Sequence, residues 1–266
     1  MAGVLVHVGA GVFRIAIGGR VHTVWGGRPA ACLRARIVAG LFSVPLNQRT
    51  WSMQTVLGIL GTTHDPELRV AYGYPLTLVE AVLEDFCPDV VLGEVMPESW
   101  VHLRQDPSLR APDFIEPPSE YYDLILPWVA ARNIPFVPID WCELDVWFEL
   151  APFARRPAGE REVLEVRLDQ WDHEIRQTAK CSPIPFNGAD YDRLARAKYA
   201  WLASVDPAAY RVEWQVRNEI MAQRIRNAVR DYPGRRHLVI VGADHNYILA
   251  DLLQEGEWSL VYPLRS

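Results

Sequence analysis

The rhythm of apolar and polar positions changes near residue 53. Before it, residues 13–17 and 20–25 alternate in polarity around Gly18-Gly19, which predicts a tight β-hairpin. Residues 26–42 (GGRPAACLRARIVAGLF) predict a short helix that carries no chemical motif. From residue 54 onwards, short apolar runs take turns with amphipathic stretches. TVLGIL (55–60), DVVL (89–92), PFVPI (135–139) and HLVIV (237–241) have the length and continuity of strands covered on both faces. Residues 75–86 predict a helix, with Leu76, Leu78, Val79, Val82 and Leu83 on its buried side. Residues 119–132 predict a second, kinked at Pro127. Two or three polar helices fill 143–232, the last opened by Asp206 as N-cap with Pro207 and stopped by Pro233-Gly234. A C-terminal helix runs through Leu253. This alternation predicts an α/β fold over residues 53–266, with a mainly parallel sheet and helices on both faces. Residues 1–52 form a small appendage bearing the hairpin and the short helix.

Strands of a parallel sheet end on one edge, and ligands bind in the crevice beyond their carboxyl ends. The polar residues just past the four predicted strands are His64, Glu94, Asp140 and His245. Both histidines belong to G-x-x-H sequences, Gly61–His64 and Gly242–His245. That pattern is expected by chance about once in two chains of this composition. Two further copies, Gly19–His22 and Gly234–His237, lie inside the hairpin and at the opening of a strand, the wrong places for a site at the strand ends. Gly61 and Gly242 let the chain turn sharply at a strand end and let a ligand approach the backbone. Asp140 has an ordinary alternative as the cap of a helix starting near Trp141.

The helix at 206–231 adds Glu213 and Arg217, four residues apart on one helical face, with Asn218 beside them. Met221, Ala222 and Ile225 continue that side, so Arg217 is predicted to face inward and to need an anionic partner, a site carboxylate or a substrate. The tryptophans, among them Trp100, Trp128, Trp141, Trp147 and Trp201, form no stripe that would indicate a cofactor groove. Residues 153–162 (FARRPAGERE) and 112–119 read as surface loops that can rim a pocket or act as a lid.

Composition narrows the classes. With 33 acidic against 27 basic residues the net charge is -6, which argues against a nucleic-acid partner. No apolar run approaches the roughly 18 residues of a membrane span. The apolar N-terminus lacks a basic leader and is broken by Arg14, so no signal peptide is expected. Cys32, Cys87, Cys142 and Cys181 form no CxxC pair, which suits reduced thiols in a cytoplasmic protein.

Taken in order, Leu60-Gly61-Thr62-Thr63-His64, Val91-Leu92-Gly93-Glu94, Arg217-Asn218 followed by Met221-Ala222 and Ile225, and Val241-Gly242-Ala243-Asp244-His245 resemble the TraB/Tiki superfamily. That superfamily includes GumN-like proteins, ChaN-like haem-binding lipoproteins and erythromycin esterases. The resemblance spans residues 54–253. It implies a hydrolase-like site on an α/β sheet, built from two G-x-x-H histidines, a glutamate and an arginine. Tiki-type members are metal-dependent proteases, the esterases activate water with a His and a Glu, and ChaN-like members bind haem. Ile248 stands where TraB-type members often carry a glycine, which narrows the expected pocket. No lipobox or membrane anchor is read here, so the membrane-bound biology of some relatives is not expected.

The chemistry these residues support is hydrolysis of an amide or ester in a small molecule or peptide. His64, Glu94, Asp140 and His245 suit a divalent ion such as Mn, Co or Zn, which would activate water, with Arg217 stabilising the oxyanion. Without a metal, His64 would act as base, oriented by Glu94, with Arg217 and backbone amides holding the acyl oxygen. The same residues also suit a non-catalytic binder of haem or metal.

Overall fold

Val, Ile and Leu runs too short to be core helices pair side by side in one sheet, and their order brings the strand ends together. The computed structural model describes residues 54–106, 118–142, 146, 151–178, 184 and 186–264, with three strands of the N-terminal segment. The chain divides into two compact units, Met1–Thr50 and Trp51–Ser266. In the first, β1 (Val6–Gly9), β2 (Val12–Ile17) and β3 (Arg20–Trp25) form an antiparallel sheet. Ile17 pairs with Arg20 across Gly18-Gly19, the predicted hairpin. The helix expected over 26–42 lies outside the described residues.

The second unit begins with β4 (Thr55–Thr62), α1 (Pro66–Ala71), α2 (Leu76–Phe86), β5 (Val90–Gly93) and α3 (Pro97–Gln105). A π-helical turn, Tyr121–Ile125, runs into α4 (Leu126–Arg132), and β6 (Phe136–Pro138) follows. Next come α5 (Ala158–Gln177) and α6 (Ala189–Val205). A short turn, Pro207–Ala209, and a π-helical stretch, Tyr210–Val216, then lead into α7 (Arg217–Asp231). The unit closes with β7 (Arg236–Gly242), a 3-10 turn Ala243–His245, α8 (Asn246–Leu252) and β8 (Trp258–Val261).

The sheet order is β6-β5-β7-β4-β8 and every pairing is parallel. Alternation along each strand divides the core in two. Leu60, Val91, Leu238 and Ile240 pack under α2 and the Tyr121–Arg132 segment, against Leu83, Phe86, Ile125 and Trp128. Leu57, Ile59, Val90, Leu92, Val239 and Val241 face the other way, against Met221, Ala222 and Ile225 of α7 and Leu249 of α8. Both faces are covered by helices, as the unbroken apolar strands require.

Several expectations are corrected. β8 was not anticipated: Trp258, Ser259, Leu260 and Val261 are all half-buried, the pattern of an edge strand with a weak apolar signal. Residues 158–162, read as loop, open α5. Pro157 and Gly159 sit at its first turn, where a missing N–H costs nothing, and Glu160 and Glu165 pair with Arg156 and Arg161. The kink expected at Pro127 takes the form of the π turn just before it. Cys87 is disulfide-bonded, so the expectation of reduced thiols fails there. Residues 107–117, most of one expected loop, lie outside the described residues. No helix among the described residues is long and apolar enough to cross a membrane.

Candidate active site

Three neighbouring strands, β5, β7 and β4, deliver Glu94, Gly242 and His64 to the same edge of the sheet, and the 3-10 turn after β7 brings His245. Glu94 is the hub. It is 6% exposed, and donors reach both of its oxygens. Oε2 accepts from the Gly242 amide at 2.6 Å and lies 3.0 Å from His64 Nε2. Oε1 accepts from Arg217 Nη2 at 2.7 Å and lies 3.5 Å from His245 Nε2. Burial alone would raise the Glu94 carboxyl. The charges of His64, His245 and Arg217 outweigh it and hold the group well below the usual carboxylate range.

Arg217, at the start of α7, points inward as its apolar neighbours predicted. Nε donates to Asp140 Oδ1 at 2.8 Å, so one guanidinium joins the ends of β5 and β6. Burial disfavours its charge, but Glu94 and Asp140 more than compensate and raise its pKa. Asp140 also accepts from the Trp141 amide, a local turn bond compatible with its role as ion-pair partner.

His64 is held from both sides. Its Nδ1 lies 2.5 Å from Glu120 Oε1 while Nε2 faces Glu94. Burial works against the imidazolium, yet the two carboxylates prevail and push the ring up to about 10. Glu120 in turn accepts from Thr62 Oγ1 at 3.1 Å and from Arg69 Nη1 at 3.4 Å. Three carboxylates, Glu94, Glu120 and Asp140, thus meet two guanidinium groups, and a protonated His64 balances the remaining charge.

His245 is 3% exposed. Its Nδ1 lies 2.7 Å from Asn218 Oδ1, and the Asn218 amide group donates to Trp214 O at 2.7 Å. Trp214 stacks on the His245 ring at 4.5 Å, and Tyr199 stacks on Trp214 at 3.5 Å. Backbone contacts are equally close: Asn187 bonds both the N–H and C=O of Gly61, and a Cβ at Gly242 would stand 2.9 Å from His64 Nε2. The Tyr121 hydroxyl accepts from the Glu94 amide and donates to Ile240 O, tying β5 to β7.

Part of this network lines a cavity of about 350 Å³. His64, Glu94, Arg217 and His245 are in its wall, Leu68, Ile175, Phe186 and Tyr191 add apolar surface, and Asp172 and Arg176 come from α5. Residues 153–162, expected at the rim, take no part in the lining; the α5 contribution comes from its last turns.

Of the nine residues singled out from sequence, His64, Glu94, Asp140, Arg217, Asn218 and His245 belong to this bonded network, and Gly61 and Gly242 close against it. Glu213 does not join it. The predicted Glu213–Arg217 face assumes α-helical phasing, but Glu213 lies in the π-helical stretch, and Arg217 turns to Glu94 and Asp140. Glu213 Oε1 is buried without a hydrogen-bond partner among the described residues, and burial, with Asp206 nearby, pushes its carboxyl up to about 7. Glu120, Arg69, Trp214 and Tyr199 escaped the sequence reading. His237 lies at the opposite end of β7, wholly buried, as its position implied.

A divalent ion at this centre would draw on His64, His245, Glu94 and Asp140. As arranged, the donor set does not fit one. His64 has a carboxylate at each ring nitrogen, both Glu94 oxygens already meet two donor groups, and a guanidinium fills the cationic position between Glu94 and Asp140. No protein-family model, curated protein or solved structure matches this chain.

Proposed function

We propose that this chain hydrolyses an ester or amide bond of a small molecule or short peptide in the strand-end cavity, with its own side chains as the acid–base apparatus. The observation that carries the reading is His64, on the cavity wall and held between Glu120 and Glu94. An imidazole so placed is an imidazolium at neutral pH, a cation that also carries a transferable proton. That revises the sequence expectation of His64 as base: it serves as the acid. As a carbonyl is attacked, its oxygen gains negative charge beside His64 and Arg217, and the Nε2 proton of His64 passes to the leaving oxygen or nitrogen. Arg217 also keeps Glu94 ionised and in place, and the apolar wall of Leu68, Ile175 and Phe186 receives the acyl group.

The metal-assisted form of the same chemistry is less favoured because the guanidinium already holds the position a cation would take. The test uses p-nitrophenyl esters and aminomethylcoumarin peptide amides, before and after dialysis against EDTA. Turnover that survives EDTA and disappears in His64→Ala is expected. No turnover on either panel, or turnover that EDTA abolishes and zinc, cobalt or manganese restores, overturns the reading.

A further inference from the structure

Helix α5 meets the cavity with one face. Asp172, Ile175 and Arg176 are the α5 residues that line it, spaced i, i+3 and i+4, so their side chains leave the helix on the same side. Ile175 is buried there, and Tyr72 donates its hydroxyl to the Arg176 carbonyl at 3.3 Å, which ties the end of α5 to the chain after α1. Every other ionisable group of the lining has a charged partner. Glu94 has Arg217 and His64, and His245 lies beside Glu94. Asp172, one turn before Arg176, turns instead to Lys198 Nζ at 2.7 Å. Asp244 accepts from the same lysine at 3.4 Å and from the hydroxyls of Tyr191 and Tyr199. Arg176 differs: it is exposed, and among the described residues its guanidinium has neither an ion pair nor a hydrogen bond.

We propose that Arg176 is the specificity residue of this cavity, and that the substrate carries a carboxylate at the end remote from the bond that is cut. That a bond is cut rests on the hydrolase reading above. A guanidinium fork matches a carboxylate, and a cation with no partner of its own gains one without first breaking another pair. The lining orders the rest of the molecule. The reacting carbonyl lies by His64 and Arg217, the apolar surface of Leu68, Ile175 and Phe186 takes an apolar middle, and Arg176 takes the charged end. Glu94, Asp172 and Asp244 also line the cavity, so a phosphate, with its second negative charge, is received less well than a carboxylate. At about 350 Å³ the cavity is at the small end for ligand sites, which suits a monoester or monoamide of a short dicarboxylic acid. Binding energy gained at Arg176 is remote from the reacting atoms, so it decides which substrate is held.

The test compares, on the full chain, the p-nitrophenyl monoesters of adipic, pimelic and suberic acid with esters of the same length that end in a primary amide. The parent should prefer the best-fitting carboxylate at least about 5-fold in kcat/KM, through KM rather than kcat, and less so in about 1 M sodium chloride. In Arg176→Gln that ratio should fall to about 1, and Arg176→Lys, which keeps the charge without the fork, should retain part of it. A parent indifferent to the end group at every length, or a preference that survives in Arg176→Gln, overturns the assignment and leaves the hydrolase reading standing. Calorimetry with adipate, pimelate and suberate themselves separates the two readings where nothing is cleaved. Binding that Arg176→Gln weakens, without turnover of any ester, keeps the carboxylate site and overturns the hydrolase reading. Neither binding nor turnover overturns both.

Discussion

Glu120 Oε1 lies 2.5 Å from His64 Nδ1, at the ring nitrogen remote from Glu94, so the imidazole is held between two carboxylates from different parts of the chain. Glu120 therefore helps set how strongly His64 keeps its proton. In Glu120→Gln one of those charges is gone, and the pKa of His64, up at about 10 in the parent, should fall toward 6.5. Histidine NMR titration measures this directly. The sign for stability follows. A folded-state pKa above the unfolded value stabilises the fold fully below about pH 6.5, and the contribution is lost as pH rises through 10. Urea midpoints of the parent should decline across that window, and those of Glu120→Gln should decline less steeply. Parallel slopes in the two proteins would show that Glu120 does not govern the ring.

Arg217 is the cation that lets Glu94 and Asp140 share a buried edge. Arg217→Met leaves both carboxylates without their counter-ion, and removing one partner of a buried pair costs about 3–5 kcal/mol. Arg217→Lys keeps the charge but not the fork that reaches two carboxylates at once, so it should recover only part of the stability. Guanidinium denaturation of the three proteins checks the order parent, Lys, Met. A Met variant as stable as the parent would mean that the carboxylates are neutral in the fold.

The strand ends were legible because a buried parallel strand announces itself as an apolar run, and whatever polar residue follows it must sit at the edge. That logic reached His64, Glu94, Asp140 and His245. It could not reach Glu120, which enters from a helix start rather than a strand end and is wholly buried through its bonds to His64, Thr62 and Arg69. Nor could it reach Trp214. In the π-helical stretch Tyr210–Val216 the turn is wider than 3.6 residues, so spacing rules that assume an α-helix place Trp214 and Glu213 on the wrong faces. Arg217 and Asn218 were legible because α-helical phasing resumes with them, ahead of Met221, Ala222 and Ile225.

The two site glycines should respond differently to a methyl group. At Gly61 a Cβ would press first on the buried Asn246 amide and stand 2.8 Å from the Ala243 backbone, which cannot move without displacing the turn that carries His245. At Gly242 the nearest atom is His64 Nε2 at 2.9 Å, then Glu94 Oε2 at 3.4 Å, both on side chains. Gly61→Ala should cost about 1–3 kcal/mol through overpacking. Gly242→Ala should cost less stability but turn His64 away from Glu94 and reduce turnover at least 10-fold. Thermal melts and ester kinetics on both variants separate these effects; equal loss of stability would deny the distinction between backbone and side-chain crowding.

Glu213 supplies a prediction independent of the site network. It is 8% exposed, its Oε1 has no hydrogen-bond partner among the described residues, and burial pushes its carboxyl up to about 7 from an ordinary 4.5. Between those two values the folded chain binds more protons at this position than the unfolded chain, so stability falls as pH rises, and the full cost is present above pH 7. Gln has the same shape and carries no charge to desolvate. Glu213→Gln should therefore match the parent near pH 4.5 and exceed it by about 1–3 kcal/mol at pH 8, the scale set by roughly 1.4 kcal/mol per pKa unit. Urea denaturation at the two pH values reads the difference. A variant less stable than the parent at pH 8 would mean that the Glu213 carboxylate is stabilised in the fold, most directly by the Arg217 charge that already opposes the upward shift.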